Sequence, residues 1–480
     1  MAEGSKRYLQ YSKETVFNET PSSPAMIKLR NTGGSGILNE RTSVTSNEIR
    51  SDRAITENRL GNNQPNLTIP IEVSYESYED LMQGALGGTW TGDYTLAETV
   101  SFGVGGTIDL DDTSSWVTKG LAVGDYIIIT DSVSNDGVYY VSAFSDVSGT
   151  NDRVTVLQAD GSTGATFTAD TADAISVQGG FVGGRIDAST NNITVANTGS
   201  TYTAGSAVWI TSFNIHVGDA VYFDGFSNAG NNGYKKVTAV TDTVLTVTSS
   251  TTLVDETLST GNLDIGSNVA ILTCGADGLD SFLFEEGHTD ISEYVYTAGT
   301  KVATYSTTIQ PDAVITGEFG MQGTTYSGYS ASTIAGSSTD SNTNNVFDSY
   351  TGDLYFGGVS VCVITGFNFT LDNGLNRRYA LMNKDACSIG EGRTNVTGTV
   401  NAFFNNSDIA DKFDNETEVE VRIRTEDLDG NAYVYGFPVI KLTSLSKDVT
   451  ENDVILNSNF QALGGATLTT MYIRKQSVLA

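Results

Sequence analysis

Cysteine is nearly absent from this sequence. Cys274, Cys362 and Cys387 are odd in number and widely spaced, which argues against a disulfide framework and for synthesis in a reducing compartment. Histidine is scarcer still. Only His216 and His288 occur, in strand or turn contexts, and both read as satisfied surface or loop histidines. Basic residues are few: 26 Lys and Arg stand against 57 Asp and Glu, a net charge of −31. Gripping nucleic acid by its phosphates needs Lys and Arg to displace counterions, so a chain this acidic is not built to hold DNA. It can stand beside DNA and repel it. No run approaches the roughly 18 apolar residues of a membrane-spanning helix. The start, Met1-Ala2-Glu3-Gly4-Ser5-Lys6-Arg7, has no apolar stretch of the kind a secretory signal carries.

What is present is aromatic and β-branched. With 22 Tyr and 20 Phe among 480 residues, the chain has ample material for packed cores, and disordered acidic chains lack that material. Apolar and polar residues alternate with period two in Leu67–Val73, Val396–Val400 and Glu418–Ile423, which predicts strands with one buried face. Helical periodicity is confined to Ser77–Leu86 and Ser407–Phe413. The expected class is all-β with a few short helices.

Two internal duplications organise the chain. Leu67, Ile71 and Tyr75 match Val396, Val400 and Phe404 at a constant offset of 329 (396 − 67). Tyr294-Val295-Tyr296 matches Tyr433-Val434-Tyr435, and Asp312–Phe319 matches Asp453–Phe460, at offsets of 139 and 141. The blocks keep their order, so the first copy holds about 190 residues that the second lacks (329 − 139). Those residues carry the second duplication. Val123-Gly124-Asp125 recurs as Val217-Gly218-Asp219, and Asn135-Asp136-Gly137 recurs as Asn231-Asn232-Gly233. These Asn-rich pairs ending in Gly are hairpin signals, because both residues accept positive φ. The expected organisation is an N-terminal arm over 1–35, a first domain split into 36–95 and 278–326, inserted β-modules at 96–180 and 181–277, a Ser/Thr/Asn/Gly-rich linker or long loop at 327–354, and a second domain over 355–480.

Candidate chemistry is sparse. No Cys-x-x-Cys, His-x-x-x-His or Gly-x-Ser-x-Gly stands in a context that catalysis needs, and no catalytic, metal or cofactor residue is assigned. Asp427-Leu428-Asp429-Gly430-Asn431 lacks the later bidentate Glu of a calcium loop and reads as a tight turn. Glu285-Glu286 reads as a solvated strand end. Among the few basic clusters, Arg50-Ser51-Asp52-Arg53 reads either as inter-subunit ion pairing or as an ordinary surface cluster. Arg377-Arg378 takes the equivalent place in the second copy, which makes Arg50, Asp52, Arg53, Arg377 and Arg378 candidate inter-subunit contacts.

Several blocks together carry a family resemblance. They are Ser46–Arg53, Tyr78–Met82 before Gly87-Gly88-Thr89-Trp90, Ser281–Gly287, Leu371–Leu375, Arg393–Val400 and Asn459–Leu463. In this order they resemble the major tail tube proteins of long-tailed, non-contractile bacteriophages, over roughly 1–95 and 278–480. The resemblance implies two tail-tube-type β-sandwich domains in one chain, the first interrupted by two tandem modules. It implies no enzyme and no cofactor. Rings of subunits would stack into a hollow tube in the virion tail, after synthesis in the bacterial host cytoplasm. Arms and long loops would reach between rings, with 1–35 and 327–349 as candidates. The implied partners are further copies of the chain, the tape-measure protein, the tail terminator and tail-tip proteins, and double-stranded DNA passing through without sequence-specific binding. Two domains per chain would let three chains make a pseudo-hexameric ring, with six chains as the alternative. The acidic lumen would draw on residues such as Glu418 and Glu420, and the modules would lie outside. Two other readings are a β-rich glycan depolymerase and a tandem β-domain adhesin for host-surface glycans. The repeat period near 94 (217 − 123) is far from that of a β-helix.

Overall fold

The computed structural model describes the chain except residues 1–2, 35, 50, 53–54, 56, 93–94, 112–113, 120, 148–151, 181–182, 214, 249–250, 268–269, 276–277, 358–363, 465–468 and 477–480. The chain divides into two compact units. One comprises Met1–Thr89, Thr273–Leu428 and Tyr435–Tyr472; the other comprises Trp90–Leu272, Asp429–Val434 and Ile473–Ala480.

The first unit uses one arrangement twice. Its first copy runs β1 (Arg7–Lys13), β2 (Leu38–Glu40), β3 (Gln64–Glu72), α1 (Glu79–Leu86), β4 (Phe282–His288), β5 (Glu293–Ile309) and β6 (Thr316–Gln322). Its second copy runs β7 (Gly352–Phe356), β8 (Ile364–Asp372), β9 (Asn395–Phe403), α2 (Asp408–Asp414), β10 (Val419–Glu426), β11 (Ala432–Val449) and β12 (Val454–Leu463). The antiparallel pairings recur with the order. β1 pairs with β4 as β7 does with β10, and β2 with β3 as β8 does with β9. β3 pairs with β6 as β9 does with β12, and β6 with β5 as β12 does with β11. A hairpin separates the second and third strands of each copy, at Ser43–Leu60 and at Asn376–Gly390.

Each segment expected to lie outside the domains contributes a strand. β1 falls within the expected arm, where Leu9, Gln10 and Tyr11 are all buried. A strand covered on both faces does not alternate, which removes the period-two signal. Ala25–Lys28 pairs with β1 and runs parallel to Ser337–Thr339 of the expected linker, and β7 begins within that linker. Helix α1 buries Leu81, Met82, Ala85 and Leu86 on one face and ends where Gly87 turns left-handed at φ 68°.

The two copies share a core. β5 pairs with β8 from Thr304↔Asp372 to Ile309↔Phe367, so the sheets of both copies join. Aromatic rings run across this seam. Tyr305 stacks on Phe319 at 4.6 Å and meets Phe369 edge-on at 5.7 Å, and Phe369 meets Phe437 at 5.2 Å. Phe367 stacks on Phe460 at 5.4 Å. Offset-stacked and edge-on rings each add about 0.5–1.5 kcal/mol beyond their buried area.

In the second unit, the first module is a closed six-stranded barrel and the second an eight-stranded sheet. Trp116 anchors the core of one and Trp209 that of the other. Equivalent surfaces pack against each other between the modules. Ile128 and Val138 of the first module meet Tyr222 and Tyr234 of the second. Arg185 flanks this patch, gripping Asp264 (Nε–Oδ1 2.6 Å) and donating to Gln158 at 2.7 Å.

Candidate functional site

The β5·β8 seam makes one continuous sheet in the order β2-β3-β6-β5-β8-β9-β12-β11. One face carries the core through Leu67, Ile69, Phe319, Tyr305, Phe369, Val400 and Phe460, all buried. The alternate residues form the other face in cross-strand rows. One row reads Pro70, Glu318, Ser306, Thr370, Thr397, Gln461 and Lys441. The next reads Glu72, Thr316, Thr308, Asn368, Thr399, Asn459 and Ser444. These rows hold two acids, one lysine and no arginine. Asn368 donates to Thr399 at 2.6 Å and Gln461 to Asn395 at 2.9 Å, so the side chains bond along the face. Short hydroxyl and amide groups of this kind offer passing phosphates no cation to bind.

The two outer edges of this sheet are open. Ser306–Ile309 of β5 lie between β6 and β8. Their counterparts in β11, Ser444–Lys447, pair with β12 alone and are exposed apart from Leu445. At the other end, β2 pairs with β3 alone. Among the described residues no strand covers either outer edge. Exposed edges are templates for pairing with another chain.

The sequence-derived candidates fare differently. Arg377 is engaged inside the chain: it donates to the carbonyls of Gly323 (2.7 Å) and Pro65 (2.5 Å) and to Asn66 Oδ1 (2.8 Å), and burial lowers its pKa. It therefore ties the second hairpin to the end of β3 and is not free for a neighbour. Arg378 and Asp52 are exposed, and Arg50 and Arg53 lie outside the described residues. Glu285 and Glu286 are buried, contrary to the solvated reading, and hold β1 and nearby loops. Glu420 and Glu418 pair with Arg422 and Lys441, at or beside β10, outside the eight-stranded order. Cys274 and Cys387 are free thiols, and Cys362 lies outside the described residues. Among the described residues no cluster of His, Cys, Asp or Glu could hold a metal ion, and no helix is long and apolar enough to cross a membrane. The Thr/Ser/Asn face went unnamed from sequence, although its signal is the polar half of the same alternation that revealed the strands.

A family model described as phage tail tube protein matches residues 4–266 and again 237–467. The chain belongs to the phage tail tube protein family. It is a structural component of a phage virion tail, and its family assembles by self-association into a tube. No curated protein matches the sequence.

Proposed function

We propose that this tail tube protein closes its ring by repeating between chains the ladder it already makes within itself. The observation that carries this reading is the β5·β8 seam, whose two counterparts at the ends of the sheet are left open. The register follows. Thr304 faces Asp372, and Asp372 faces Asn395. Leu38 faces Asn66, the counterpart of Asn395, while Lys441 faces Gln461, the counterpart of Gly320, which in turn faces Thr304. Leu38 of one copy therefore lies opposite Lys441 of the next. Three chains, each with two repeats, make a pseudo-hexameric ring.

In this reading the polar face of the eight-stranded sheet lines the conduit of a non-contractile tail. It encloses the tape-measure protein first and later passes double-stranded DNA, with weak repulsion keeping the phosphates off the wall. The tail terminator and tail-tip proteins meet the stacked rings at their ends. The inserted unit lies on the outside, since a DNA-sized channel has no room for it, and serves as reinforcement or as contact with host glycans.

Leu38→Cys combined with Lys441→Cys, with the native cysteines replaced by serine, tests the register. Oxidation of assembled tubes should link chains into a ladder that ends at a closed trimer. A ladder reaching the hexamer would mean six chains per ring. Intact tubes without any intermolecular disulfide would overturn the edge pairing.

A further inference from the structure

We infer that His216 is a proton-controlled clasp on the C-terminal strand Tyr472–Gln476. The argument starts from a difference between two otherwise matching turns. In the first module, the Asp125 carboxylate accepts from the Ala122 amide at 2.9 Å. Gly124 N–H donates to the Val141 carbonyl and Val141 N–H to the Asp125 carbonyl, both at 2.9 Å. In the second module, Asp219 accepts from the His216 amide at 2.8 Å, and Gly218 and Val237 repeat the two backbone bonds at 2.8 and 2.9 Å. The turn thus forms equally well on alanine. The imidazole is an addition that the turn itself does not need.

What the imidazole reaches is the C-terminal strand, whose residues from Ile473 onward cluster with the inserted unit. Arg474 Nη1 lies 3.2 Å from His216 Nδ1. A guanidinium can only donate. Nδ1 must therefore accept, which makes the ring neutral with its proton on Nε2. Among the described contacts two charged groups face this ring: Arg474 from the C-terminal strand, and the Asp219 carboxylate of its own turn, 3.9 Å from Nδ1. The site is enclosed, with Arg474 only 2% exposed and Asp219 4%. Protonating Nδ1 removes the acceptor and sets two cations side by side. The same proton gives the ring a donor for Asp219. The ring then has two positions: neutral, it holds Arg474; charged, it turns to its own carboxylate and lets the strand go. At neutral pH the strand is held, and acid loosens it.

The chain's two histidines make the test direct. Ring nitrogen-15 labelling of the full-length protein yields two histidine signal sets, and His216→Ala identifies which is which. At neutral pH the His216 ring should carry its proton on Nε2 alone. Through the imidazole titration, amides of 473–476 should lose about tenfold or more of their exchange protection, after correction for intrinsic rates, while those of β3 keep theirs. His216→Ala, which restores the residue of the first module, should fold and show no such step. A proton on Nδ1 at neutral pH, the absence of a step in the native chain, or the same step in His216→Ala would each overturn the clasp.

Discussion

Glu286 holds three groups at once. Its carboxylate accepts from Arg7 Nε at 2.6 Å, from the Ile37 amide at 2.6 Å and from His288 Nε2 at 3.3 Å. Its neighbour Glu285 does similar work on the opposite side of the strand, accepting from Gln10 at 2.7 Å, from Thr333 Oγ1 at 2.7 Å and from the Ile334 amide at 2.6 Å. Two adjacent acids thus fasten the strand before β2 and the segment after β6. In the sequence the pair resembled a solvated edge, because nothing nearby in the chain announces Arg7 or Gln10, some 280 residues away. Glu286→Ala would leave a buried guanidinium and a backbone amide without their acceptor. The expected loss is about 3–5 kcal/mol, read as a lower urea midpoint at unchanged slope. Glu286→Gln keeps an oxygen for Ile37 and should lose clearly less.

At the scale of elements, legibility followed the sheet's one-sided burial. Where one face is dry and the other wet, as in β3, β9 and β10, alternation marked the strands to within a few residues. Both helices were legible from the same kind of pattern at helical spacing. Where both faces are covered, as in β1, the pattern vanished. The short β2 was too brief to leave one. The repeat itself was visible because its offsets survive in β3, β5 and β6, yet the seam between copies was not, since strand pairing across 60 or more residues leaves no local trace. Gly398 in β9 tests how tightly the second copy is registered. A Cβ there would meet the Asn368 carbonyl at 2.1 Å and the Phe460 ring at 2.6 Å. Gly398→Ala must therefore displace the ring stacked on Phe367. It should cost about 1–3 kcal/mol in thermal unfolding, whereas Gly464→Ala, with open space around it, should cost far less.

At the scale of the whole molecule, the net charge of −31 is compatible with a wall that is nearly neutral. Of the fourteen positions in the two central rows of the open face, two are acidic and one is basic. The wall then works less by strong repulsion than by withholding cations. Introducing them should be the more damaging change: Ser306→Lys together with Thr370→Lys, on adjacent strands of the seam, should slow DNA ejection from intact virions in a salt-sensitive way. Ejection at the native rate from tubes carrying both lysines would remove the face from the conduit.

The inserted unit begins and ends on one rung. Thr91 N–H donates to the Ile271 carbonyl at 2.9 Å, and Ile271 N–H returns the bond at 3.0 Å. About 180 residues therefore leave and re-enter the chain through a doorway one ladder pair wide. A socket of that shape fixes the ends of its cargo and is indifferent to what lies between them. Related tubes can exchange whole cassettes at this point, larger or smaller, without shifting a single register in the barrel wall, so the outside of the tail is free to diversify while its bore stays constant.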